Sequence, residues 1–160
     1  MIRRLLHPWL TVRAAFLLGA VFVVAALPKI ADPPAFAKAI HAYRLFPAAL
    51  VHPAALALPW LELLTGAALC LGWRLRAAAL WTGTLLLAFV AALSINLARH
   101  HPVDCGCFDP HATTRSEAER LGDMRWTILR DLGLLLLVGQ VLLASGRRED
   151  GPHDPSHMGM

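Results

Sequence analysis

The sequence predicts an all-α fold: a four-transmembrane-helix bundle with a short interfacial helix and a long loop bearing a Cys-x-Cys pair. Three observations predict it. Hydrophobic residues fill 57% of the 160 positions and charged residues only 16%, whereas a soluble domain carries roughly 25% charged residues. Mean hydropathy is +0.53. Four apolar runs of membrane-spanning length alternate with polar connectors. The net charge of +4 comes almost wholly from arginine. Such charge suits interfacial anchoring, and no basic run interleaved with aromatics speaks for nucleic acid.

Residues 1–10 form a basic head with Arg3 and Arg4. Residues 11–27 are apolar except for Arg13 and read as a first span that ends near Pro28. No small-x-small cleavage pattern follows, so the stretch reads as a retained helix rather than a secretory leader. Asp32-Pro33-Pro34 marks a turn. Over residues 35–45, Phe36, Ala39, Ile40 and Tyr43 recur at helical spacing, opposite Lys38, His41 and Arg44. That pattern predicts an amphipathic helix lying at the interface.

Residues 48–71 read as the second span, with Pro53 and Pro59 tolerated as membrane helices allow. Glu62 lies within it. A carboxylate at that depth is expensive unless protonated, paired or facing a cavity. Two roles stand level for it: a side chain that locks helices together, and a proton or quinone contact. Cys70 sits in an apolar run and reads as a small buried hydrophobe. Residues 72–76 form a turn and residues 77–98 the third span, with Asn96 near its end. In the following connector, Thr114-Arg115-Ser116-Glu117 fits a capping box. It predicts a short surface helix that stops at Gly122, with Asp123 capping a fourth span over residues 127–145. Arg130 and Asp131 are expected to snorkel or pair near the interface. The membrane domain is thus residues 11–145. The polar tail, residues 146–160, is expected to be disordered, and its scattered histidines and methionines are not taken as a metal site.

The chemistry concentrates in Val103-Asp104-Cys105-Gly106-Cys107-Phe108. A single glycine separates the two thiols. A bridge between them closes a very small ring, and strained bridges are the readily reduced, catalytic kind. Arg99, His100 and His101 lie close by and would favour a thiolate, while Asp104 and Asp109 oppose it. Thiol–disulfide exchange by Cys105 and Cys107 is the leading reading. A disulfide that only shapes the loop is a second. A copper or zinc site using Cys105, Cys107 and His100 or His101 is a third, weakened because zinc cysteines are usually spaced by two or more residues.

Four spans place both termini and the turn at Arg74 and Arg76 on one side. That side concentrates arginines in very short segments, including Arg3, Arg4, Arg147 and Arg148. Such density predicts termini in the cytosol of an inner (plasma) membrane protein, with the Cys-x-Cys loop in the extracytoplasmic, oxidising compartment.

Several stretches together resemble a known family. They are Lys29-Ile30-Ala31-Asp32-Pro33, Tyr43-Arg44-Leu45-Phe46-Pro47, Pro59-Trp60-Leu61-Glu62, the Asp104–Phe108 motif, and Trp126 with Arg130-Asp131-Leu132. They cover most of the chain and are similar to the MauE branch of the DoxX-like membrane proteins. The resemblance implies a four-helix membrane bundle and a role in methylamine utilisation. It implies a thioredoxin-like partner and help in maturing the disulfide-rich small subunit of methylamine dehydrogenase. Asp109 stands where the family usually has glycine. The DoxX side implies a different class, a quinone-linked oxidoreductase subunit in which Glu62 and the bundle interior matter more than the thiols. A third class is a membrane assembly factor without catalysis of its own.

Overall fold

The computed structural model describes residues 8–45, 47–99 and 117–149. These residues form five helices and no strand. They are α1 (Pro8–Ala31), α2 (Pro33–Ala42), α3 (Ala48–Cys70), α4 (Leu75–Ala98) and α5 (Glu117–Glu149). Four of them contain segments long and apolar enough to cross a membrane: Trp9–Ala31, Ala48–Cys70, Leu75–Ala98 and Ala118–Gly146. They pack as a ring in chain order, α1 on α3, α3 on α4, α4 on α5 and α5 back on α1. Residues 100–116, which include His100, His101, Cys105 and Cys107, lie outside the described residues.

α1, α3 and α4 are apolar nearly all round, so polarity alone does not select their inner face. Residue size helps to do so. Ala14, Ala15, Ala26, Ala78 and Ala79 are buried, while Leu17, Val24, Leu64, Leu87 and Leu136 point outward, toward the acyl chains of a bilayer. Small residues let membrane helices approach closely, where packing rather than water exclusion drives association. The tightest approach lies between α1 and α3. A Cβ placed on Gly19 would stand 2.5 Å from the Gly66 carbonyl oxygen and 2.6 Å from Cys70 Sγ. Between α4 and α5 the approach is looser, a Cβ on Gly83 standing 3.0 Å from Val138 Cγ1.

α3 ends as the sequence demands. Gly72 takes φ +69°, Trp73 N–H donates to Ala68 O at 2.9 Å and Gly72 N–H to Leu69 O at 3.3 Å. This pair of bonds is the Schellman termination, which places glycine in the left-handed region. α2 begins where Asp32 Oδ1 accepts from Ala35 N–H at 2.9 Å, with prolines in the first turn. Its buried Ala37 and Ile40 pack on Val51 and Ala55 of α3.

Three boundaries differ from the sequence reading. α1 does not stop at Pro28 but continues to Ala31; proline is tolerated inside membrane helices. The short helix read before Gly122 and the fourth span are one 33-residue helix. No Cβ-sized obstruction lies at Gly122, and glycine in a helix interior is a modest penalty rather than a stop. That helix runs through Gly146 to Glu149, inside the stretch read as tail; residues 150–160 lie outside the described residues.

Candidate functional site: a paired charge cluster inside the bundle

The extension of α1 past Pro28 carries Lys29 inward. Lys29 is 6% exposed, and its ammonium donates to both carboxylate oxygens of Glu62, at 2.8 and 2.7 Å. The ammonium also lies 5.2 Å from the centre of the Phe36 ring, contributed by α2. Glu62 stands about 21 Å along α3 from Ala48, at about 1.5 Å per residue. Its turn is held by Thr65, whose hydroxyl donates to the carbonyls of Leu61 at 2.8 Å and Glu62 at 3.1 Å. Of the conditions that make an intramembrane carboxylate tolerable, Glu62 therefore meets two: it is paired, and it borders a cavity.

A second ion pair joins this site from α5. Asp131 is 1% exposed. Its Oδ1 accepts from Arg130 Nε and Nη2, both at 3.0 Å. Asp131 lies about 21 Å into α5, because that helix begins at Glu117. Asp131 is therefore buried inside the bundle, and it forms the pair with Arg130 that the sequence allowed. Lys29, Glu62, Arg130 and Asp131 line one cavity of about 50 Å³, walled by Phe22, Leu86 and Leu134 among others. A second cavity of about 170 Å³ borders the same Lys29–Glu62 pair and is walled by Phe36, Ile40, Tyr43, Leu58 and Phe89. It reaches toward the end of the bundle where Tyr43, Leu93 and Met124 cluster, bringing together the end of α4 and the start of α5.

The sequence singled out Glu62 but not its partner, nor Asp131 as an interior residue. A charge-balance argument had the means to find both, because an acid in an apolar run requires a cation from another run. Cys70, the one cysteine among the described residues, is half-buried and free. Its thiol lies 3.8 Å from the Phe16 carbonyl, against α1. Cys70 lies at the α3 end of the turn to α4, remote from the far ends of α4 and α5. Among the described residues, no group of three metal-ligating side chains comes together.

The family described as methylamine utilisation protein MauE matches residues 7–144. Three relatives carry that same description. The protein of Methylophilus methylotrophus is 34% identical over 62% of this chain and 53% of its own length. That of Methylorubrum extorquens is 38% identical over 52% and 46%. That of Paracoccus denitrificans is 33% identical over 65% and 56%. The matches thus span about half the length of these relatives. No solved structure matches. With a family match running from α1 through nearly all of α5, this chain belongs to the MauE family of methylamine utilisation proteins.

Proposed function

We propose that this protein is a membrane factor in methylamine utilisation that exchanges disulfides with a thioredoxin-like partner through Cys105 and Cys107. The observation that carries the reading is the thiol pair separated by one glycine, in a chain of the MauE family. In the exchange, one loop thiolate attacks a partner disulfide and displaces one partner sulfur as thiolate. The second loop thiolate then attacks the mixed disulfide, closing the Cys105–Cys107 bridge and freeing the second partner sulfur. The loop loses two electrons and the partner gains them; run backwards, the same steps oxidise the partner. Methylamine dehydrogenase, through its disulfide-rich small subunit, is the end recipient this reading implies. Orientation with the loop outside the cytosol suits the chemistry, because bridges persist in oxidising compartments.

The test is trapping. Cys105→Ser or Cys107→Ser should arrest the reaction at a mixed disulfide with the thioredoxin-like partner, visible on a non-reducing gel. Mass-tagging should count one free thiol in the oxidised protein and three in the reduced. Three free thiols after oxidation, with both serine variants active, would sink the reading.

A second reading, a quinone-linked oxidoreductase subunit, draws on the 170 Å³ cavity. A cavity of roughly 150 Å³ lined by apolar side chains accepts a single six-membered ring, and Lys29 offers an ammonium at its edge. Reduction of an added quinone by the purified, pre-reduced protein favours this reading; no turnover with wild type argues against it.

A further inference from the structure

The two ion pairs leave one polar atom unanswered. Asp131 Oδ2 has no hydrogen-bond partner among the described residues, although the residue is 1% exposed. An unsatisfied carboxylate oxygen in a low-dielectric interior is costly, so such groups normally find a donor. The Arg130 Nε and Nη2 groups do not supply it, because both go to Oδ1. The atom belongs to a residue lining the 50 Å³ cavity, together with Lys29 and Glu62. A site holds water when it offers about 10–15 Å³ or more and two to four polar partners. This cavity exceeds the first requirement, and Asp131, Lys29, Glu62 and Arg130 meet the second.

We propose that this cavity holds water joining the Arg130–Asp131 pair to the Lys29–Glu62 pair, and that Asp131 exchanges a proton through it. The charged groups facing Asp131 are Lys29 from α1, Glu62 from α3 and Arg130 from α5, while α4 presents only Leu85, Leu86 and Phe89. No bond between heavy atoms is made or broken: one water O–H bond breaks as an O–H bond forms on Asp131. A water proton passes to Oδ2, and the water regains one from its neighbours. Lys29 and Glu62 border both cavities, and the larger one extends along α4 to Ala92 and Tyr43. The inference rests on the orphaned oxygen and the cavity, and stands whether or not Cys105 and Cys107 exchange disulfides.

Infrared difference spectra of the full chain in nanodiscs, between acidic and alkaline buffer, read this site directly. One carboxyl band from a buried aspartic acid should titrate, move in D₂O and move again when the protein is labelled with ¹³C-aspartate. Labelling needs no variant, so a misfolding substitution does not block the test. Asp131→Asn should remove that band, and Glu62→Gln should displace it, as coupling through shared water requires. The proposal is overturned if no aspartate band titrates, if the band survives Asp131→Asn, or if a folded Glu62→Gln protein leaves it unmoved.

Discussion

Lys29 and Glu62, 33 residues apart in the chain, meet head to head, with the ammonium 2.7 and 2.8 Å from the two carboxylate oxygens. The contact ties the last turn of α1 to the middle of α3. Breaking a buried pair by removing one partner costs about 3–5 kcal/mol, because the other charge is stranded, whereas replacing both with apolar groups is often near neutral. Lys29→Met alone should therefore lower the unfolding free energy in mixed micelles by about that amount. Lys29→Met with Glu62→Leu should recover most of the loss. Strict additivity of the two single changes would show that the pair is not coupled.

Gly19 and Gly66 make a second prediction about the same helix pair. A Cβ on Gly19 meets backbone, the Gly66 carbonyl oxygen at 2.5 Å, so no side-chain rotation relieves it. Overpacking of this kind costs about 1–3 kcal/mol. Gly19→Ala should destabilise the bundle by that order. Gly133→Ala, where a Cβ meets nothing within 4 Å, should be neutral or stabilising by up to about 1 kcal/mol through helix propensity. Equal effects at both positions in a thermal denaturation series would contradict the close approach.

Cys70 provides a control for the thiol chemistry. Its sulfur packs against Phe16 and Gly19 at the α1–α3 contact. Cys70→Ala should keep disulfide exchange with the partner intact. A water-soluble maleimide should label Cys70 slowly in the folded protein and fully once it is unfolded. Loss of exchange in Cys70→Ala, with the fold retained, would bring this thiol into the mechanism.

Orientation is the fourth prediction. A membrane-impermeant maleimide applied to intact cells after mild reduction should tag Cys105 and Cys107. Tagging that appears only after lysis would place the loop in the cytosol.

The four spans were legible because each is a long apolar run, and hydropathy reads such runs without regard to packing. The charge cluster was not, for two local reasons. Pro28 reads as a stop in a soluble helix, so Lys29 was assigned to the connector, whereas in α1 the helix continues three residues further and delivers Lys29 to Glu62. Gly122 and Asp123 read as a break with a fresh cap, so Arg130 and Asp131 were placed in the first turns of a helix. The actual start at Glu117 puts them in the middle of the helix, where Asp131 is buried. In both cases a local turn signal lost to the continuity of a long membrane helix. Which cation answers Glu62 is a property of the α1–α3 packing, and no single-helix pattern contains it.

The charge cluster has an electrical consequence. Two cations, Lys29 and Arg130, face two anions, Glu62 and Asp131, so their formal charges cancel and the membrane potential exerts no net force on the group. A proton arriving at Asp131 ends that neutrality. A charge crossing the full field is worth about 2.3 kcal/mol per 100 mV, and one stopping partway experiences the corresponding fraction. Occupancy of Asp131 by a proton would then follow the voltage across the membrane as well as the pH on either side, and an energised cell and a depolarised one would hold this bundle in different protonation states.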